Sequence, residues 1–250
     1  MTGTDWKAHV SARHLRLASG LVLFVYLATH LINHAVGLIS LRAAEAVLAV
    51  AKSVWYSAPG TVVLYGAAAT HGALALRTVY LRQHWRLPLI EYIRLGSGFS
   101  LPLLLIGHAV TTRLAFATLG AEPRYATVVA SLLSAGTEGW QLALLAPGWV
   151  HGCLGIWLTI ARRKPSRAVR VAFFAVMVLV PLAAAAGFLS MRAEVMVQAA
   201  PVIASGASGG GTALEWWRRA MTIAYVLAIT AALVAGFARR SILRSGTPAS

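Results

Sequence analysis

Read for the alternation of apolar and polar positions, the chain resolves into six long apolar runs separated by short polar segments. They cover roughly 15–40, 57–81, 96–119, 141–161, 171–191 and 217–238. Each is about 20 residues or longer, the length a helix needs to cross a bilayer's hydrocarbon core. Backbone groups in lipid must be satisfied within their own segment, so the runs are predicted to be helices rather than strands. The pattern predicts an all-α polytopic membrane protein with six transmembrane helices. Pro102 and Pro181 mark where the third and fifth would bend. Residues 1–16 are polar and basic, and the run that follows is too long for a signal peptide, so it is expected to stay as a helix.

Composition agrees with this reading. Hydrophobic residues make up 58% of the chain and charged residues 12%, against about 45–50% and 25% in soluble domains. The formal net charge of +15 would suggest a nucleic-acid partner in a soluble chain. Here the cations bracket the apolar runs and act as topology signals, so no nucleic acid is expected. One set of connections and the two ends collect fifteen of the 22 Lys and Arg residues; the other set holds seven, together with five of the seven acids. The positive-inside rule then predicts both termini in the cytoplasm, the chain being a multi-pass protein of a bacterial inner membrane. Trp55, Trp140, Trp216 and Trp217 fit an interfacial belt, and "ASGASGGGT" before the sixth run reads as a flexible outer connector. The single cysteine, Cys153, excludes a disulfide within the chain, a CxxCH haem attachment and a cysteine-ligated iron–sulfur cluster.

An internal repeat organises the first four runs. The first opens with "RLASG" at Arg16–Gly20 and the third with "RLGSG" at Arg94–Gly98. Each final glycine is followed ten residues later by a histidine, His30 and His108. The second and fourth carry "HGALALRTVYLR" from His71 and "HGCLGIWLTIAR" from His151, each with an arginine eleven positions on. The first helical hairpin is thus repeated as the second. At 1.5 Å per residue, His30 and His108 lie ~21 Å beyond their arginines, and His71 and His151 ~16 Å from theirs. The four histidines form two depth-matched pairs. His34, one turn beyond His30, has no partner in the repeat and is the alternative to His30.

Ionisable side chains inside a bilayer are costly and tend to be functional. Two neutral imidazoles facing each other across a bundle supply the axial ligands of a six-coordinate haem iron. Four histidines at two levels predict two haem b groups, held by His30, His108, His71 and His151. A zinc or copper centre needs three or four ligands, which a two-and-two split does not supply. Gly20, Gly66, Gly72, Gly98 and Gly152 are candidates to make room for a flat macrocycle. Arg113 and Arg77 are candidate partners of haem propionates. His9, His14 and His84 lie in or beside cytoplasmic segments and read as surface, and Cys153 reads as packing.

The four-helix portion resembles the dihaem cytochrome b anchor of succinate dehydrogenases and fumarate reductases. That resemblance implies that His30 and His108 hold a distal haem, and His71 and His151 a proximal one. "SARHLRLASG" at 11–20 is similar to that family's Ser-x-x-His-Arg-x-Ser-Gly quinone motif. Here the arginine is displaced to Arg16, and the implied quinone site would involve Ser11, Arg16 and Ser19. Over nearly the whole chain, "HLINHAVGLIS", "LYGAAATHGALALR", "GWVHGCLGIWL", "PLAAAAGFLSM" and a sixth helix with a cytoplasmic end resemble the membrane domain of certain bacterial class III adenylate cyclases. This implies quinone-responsive redox control of cyclic AMP synthesis through ferredoxin-like and cyclase domains, fused or in trans, and a homodimer.

The chain has no ferredoxin cysteines and no metal-binding aspartate pair, its only aspartate being Asp5. It therefore reads as either a truncated regulatory membrane domain or a stand-alone relative, with no catalytic domain among these residues. The expected organisation is a cytoplasmic segment at 1–14, a dihaem four-helix bundle of two hairpins at 15–165, two further transmembrane helices at 166–240 and a cytoplasmic tail at 241–250. Electron transfer as the cytochrome b anchor subunit of a succinate dehydrogenase-type complex is the rival expectation. A six-helix ascorbate-reducible cytochrome b is similar in layout, but that family carries its histidines on the second to fifth helices.

Overall fold

Helix α1 (Gly3–Val36) begins well before the first apolar run and ends at Gly37. Gly37, Leu38 and Ile39 close its last turn by bonding back to His34, Ala35 and Val36. The apolar run continues to position 40, but the helix does not, because Ser40 starts a new one. Its hydroxyl caps α2 (Leu41–Trp55) by accepting from the Ala43 amide at 3.0 Å. The computed structural model describes residues 3–134, 136–204 and 211–245.

The remaining elements follow in order. Helix α3 (Ala58–Leu81) is capped by Ser57, whose hydroxyl accepts from Gly60 N at 3.1 Å. An extended connection ending at Pro88 leads to α4 (Leu89–Ala109). Directly after His108, α4 passes into a π-helical turn (Val110–Leu114) and then α5 (Ala115–Leu119). Short α6 (Tyr125–Ser134) precedes α7 (Glu138–Ile160), α8 (Arg167–Ala204) and α9 (Gly211–Ser245). The helices run on through Pro102, Pro147 and Pro181. Six segments are long and apolar enough to cross a membrane: α1, α3, α4–α5, α7, α8 and α9. Among the described residues there is no strand, so the protein is an all-α, multi-pass membrane protein. Most of the "ASGASGGGT" connector lies outside the described residues.

Packing builds a bundle from the two hairpins. α1 pairs with α3, α4 pairs with α7, and α1 joins the hairpins by packing on α7. α8 lies along α1 and α7. Gly187 permits the closest part of that crossing, since a Cβ there would overlap the His34 carbonyl oxygen. On the other side α3 and α4 barely touch, and α9 packs against both. Tyr225 of α9 donates to Phe99 O at 2.8 Å, and Arg240 donates to Arg82 O at 2.9 Å. The sixth membrane helix is therefore a wall of the bundle rather than an addition outside it.

Two elements that the hydrophobic pattern does not predict, α2 and α6, cover the end of the bundle away from the arginine-rich connections. Their core with α8 is Leu41, Ala44, Tyr125, Val129, Leu132, Phe188, Met191 and Val195. Acids sit on both N-termini: Glu194 accepts from Leu41 N at 2.9 Å, and Glu45 accepts from Ala126 N at 3.1 Å. Lys52 and Glu122 pair at 2.6 Å across the same cap.

Candidate cofactor cavity

The helices α1, α3, α4 and α7, with α2 and α6 at one end and Tyr225 of α9, line a cavity of about 1470 Å³ that extends from Arg16 and Arg94 at the arginine-rich end to Lys52 and Arg124 at the far end. Single small-molecule pockets usually run about 300–1,000 Å³, so this one has room for more than one ligand. Its wall includes His30, His34, His71, His108 and His151.

At the arginine-rich end, the His71 and His151 rings stand 6.1 Å apart, centroid to centroid, at 88°. His71 Nδ1 donates to Arg16 O at 3.3 Å, and His151 Nδ1 donates to Arg94 O at 2.8 Å. A carbonyl oxygen can only accept, so both rings carry their proton on Nδ1 and leave Nε2 with a free lone pair. This is the arrangement a metal-binding imidazole needs.

The repeated Arg-Leu-x-Ser-Gly motif builds the arrangement twice. Its arginine supplies the carbonyl. Its glycine, four residues on, clears space for the ring: a Cβ at Gly98 would come within 2.5 Å of His151, and one at Gly20 within 3.1 Å of His71. The serine hydroxyls turn back on their own helix. Ser19 donates to Leu15 O and Ser97 to Ile93 O, both at 2.7 Å. Ser19 Oγ also lies 3.4 Å from His71 Nδ1.

At the far end, His30 faces His108 with centroids 5.7 Å apart at 67°. Tyr26 stacks on His30 with centroids 6.0 Å apart. His34 is part of the same group: its Nε2 lies 3.2 Å from His30 Nε2, and its ring packs against Tyr125 at 5.3 Å and Phe188 at 6.2 Å. His30 is the ring that meets His108 directly. Burial, and next the charge of Glu45, push the pKa of the Tyr125 phenol above its ordinary value, so Tyr125 stays an O–H group.

These distances admit a metal held between opposed imidazoles. With metal–nitrogen bonds of about 2.0–2.1 Å, two rings on opposite sides of one ion have centroids roughly 6 Å apart. Both pairs fall near that separation, and the cavity connects them. Among the described residues, no group of three or more His, Cys, Asp or Glu side chains converges on one metal position. The histidine rings that face each other across the cavity come in twos.

The other sequence candidates divide. Arg16 lines the cavity and donates from its guanidinium to Thr78 Oγ1 at 2.9 Å. Ser19 is buried beside His71; the side chain of Ser11 is outside the described set. Arg77 is exposed and faces away from the cavity wall. Arg113 also stands off the wall, with its guanidinium 3.9 Å over the Tyr56 ring and hydrogen-bonded to Thr61. The cations that do line the cavity are Arg13, Arg16, Arg94 and Arg162 at one end and Lys52 and Arg124 at the other. Of the residues not singled out, Arg94 carried a signal, its equivalence to Arg16 in the repeat. Gly72 borders open space on the wall, Gly66 borders open space off it, and Gly152 is filled by Phe24. Cys153 is buried against Leu31, Trp149 and Ala184.

No protein-family model matches the chain, and no curated protein or solved structure resembles it significantly.

Proposed function

We propose that this chain is a cytochrome b-type membrane domain that binds two haem b groups, exchanges electrons with membrane quinone and acts as a redox-sensing anchor for a cytoplasmic adenylate cyclase output. The observation that carries the haem reading is the pair of opposed imidazoles at the arginine-rich end, each fixed through Nδ1 to a main-chain carbonyl and opening Nε2 onto a shared cavity. His71 and His151 hold one haem, and His30 and His108 the other. Haem at each level supplies a one-electron iron couple, and the two together match the two electrons that a quinol releases, with two protons, on becoming a quinone.

The protein's own residues do the rest. The Arg16 and Arg94 carbonyls hold the His71 and His151 rings in orientation. The aromatic and aliphatic wall, including Phe24, Leu101 and Leu145, excludes water from the macrocycle faces. Arg16 and Arg94 offer positive charge to propionates at one end, as does Arg124 at the other. The cyclase output rests on motifs similar to those of cyclase membrane domains and on a charge asymmetry that favours a cytoplasmic location for both ends. The membrane is then a bacterial inner membrane, and self-association as a dimer goes with the same reading.

Purified in detergent, the protein should carry two haems per chain by pyridine haemochrome assay. It should give a low-spin b-type spectrum on reduction. A protein isolated with haem supplied during expression and no Soret absorbance refutes the reading. Fusion of the chain to a soluble cyclase domain, assayed with oxidised and reduced quinone, tests the output; a rate indifferent to quinone redox state rejects it.

A further inference from the structure

The polar atoms around the two histidine pairs are partnered unequally. At the arginine-rich end both histidine Nδ1 atoms and both repeat-motif serines are hydrogen-bonded, and the unpaired buried atom on the wall there is a single guanidinium nitrogen, Arg94 Nε. At the far end Asn33, 1% exposed, has neither its amide oxygen nor its amide nitrogen bonded. His34 Nδ1 and the hydroxyl of Tyr125, 6% exposed, are also buried without a partner. All three residues line the cavity, and the His34 and Tyr125 rings are 5.3 Å apart. Four unpaired atoms on three side chains of one cavity wall call for a bound group, since buried polar atoms in folded proteins are almost always satisfied.

Haem alone does not meet this demand. Its polar groups are carboxylates, which accept at neutral pH, whereas Asn33 Oδ1 requires a donor and its Nδ2 an acceptor. A hydroxyl supplies both. Phe188, Val129 and Leu132 make the same side apolar; of the two cations lining this end Lys52 is already paired with Glu122, and Arg124 is offset by the negative charge that Glu45 brings near Tyr125. That selects a neutral ring bearing oxygen groups over an anion.

We propose that Asn33, His34 and Tyr125 form the head-group site for quinol or quinone, at the far end of the cavity beside His30 and His108. The inference rests on the quinone-linked reading above and moves its site away from Arg16 and Ser19, where Arg16 Nη1 is bonded to Thr78 and the Ser19 hydroxyl to Leu15 O. A quinol hydroxyl donates to the Asn33 oxygen or a histidine nitrogen and accepts from the Tyr125 hydroxyl or the Asn33 amide. The oxidised ring keeps the accepting half of these bonds. Because His34 Nε2 is 3.2 Å from His30 Nε2, a head group on His34 touches the far-end pair.

The test uses the full, haem-loaded chain in detergent and two probes, decylubiquinone and a short-chain naphthoquinone, with binding measured by equilibrium dialysis. One of them should bind the unmodified protein. Asn33→Leu and Tyr125→Phe should each weaken that binding about tenfold, the effect of losing one good hydrogen bond. Haem content and the reduced α-band should not change. Should Asn33→Leu fail to load haem, Tyr125→Phe, which removes one oxygen, decides. If the unmodified chain binds neither probe, this site and the quinone reading both fall. If it binds but both variants match it, or only Arg16→Gln weakens binding, the placement is overturned and the quinone reading stands.

Discussion

Replacing Gly98 by alanine adds one methyl carbon where α4 meets His151. The new carbon would lie 2.5 Å from the ring against an ordinary contact of 3.4 Å, so the imidazole must retreat by about 0.9 Å. The Arg94 carbonyl lies on the same side as that methyl, one turn earlier, and its bond to Nδ1 is 2.8 Å now. Retreat takes the pair beyond hydrogen-bonding range. Losing an outer hydrogen bond of this kind typically costs 10–100-fold in metal affinity. The matching change at Gly20 meets His71 at 3.1 Å, so the ring moves only about 0.3 Å and the expected cost is a few-fold at most. Helix propensity works the other way, because Ala is favoured over Gly by about 0.8–1 kcal/mol within a helix. A weaker site therefore cannot be blamed on a weaker helix. Haem titration into the apo-protein in micelles, followed at the Soret band, should give two resolved affinities. Gly98→Ala should lower one of them by ~10-fold or more, and Gly20→Ala should lower the same one slightly. Equal effects of the two substitutions, or loss confined to the His30–His108 level, would refute the cradle argument.

Four other outcomes are expected. His108→Ala and His30→Ala should each remove one haem of two, whereas His34→Ala keeps both; a lost haem in His34→Ala would show that His34 is the ligand. His71→Ala and His151→Ala should give matching spectra that retain the far-end haem, as judged by difference spectroscopy and haem content. Gly187→Ala forces a methyl onto the His34 carbonyl and should lower thermal stability in detergent by about 1–3 kcal/mol or more, read from tryptophan fluorescence on heating. Arg77→Gln should leave haem content and midpoint potentials unchanged, because the side chain faces away from the cavity; a shifted potential contradicts that orientation.

The six spans were legible because their length and apolarity are the direct imprint of the bilayer, and the repeat was legible because it survives in the residues themselves. Depth along each helix could be counted, and the histidines paired by depth are those whose rings meet. Direction around the helix was less well used. Arg77 lies six residues from His71, a rotation of about 240° at 100° per residue, so it faces away from that histidine. Helices α2 and α6 went unread since both are too short to span, and α2 continues the apolar run after an interruption set by Gly37 and Ser40. The role of α9 was hidden for a different reason. A helix with lipid on one side and a cavity on the other is apolar all round, so its sequence does not say which face is inward. The far-end polar group was partly visible, in His34, but nothing in the sequence marks the lack of partners for Asn33 and Tyr125.

The two cradles hold their rings through oxygens of the main chain. No point mutation can delete such an acceptor, and the arginine side chains attached to it are left free to do something else. For seating the ring, tolerance at this motif should accordingly be lopsided: wide at the first position, narrow at the fifth. The five-residue unit is also portable in principle, since any pair of helices crossing at that spacing could borrow it to seat an imidazole in a chosen tautomer without spending a second polar side chain inside the bilayer.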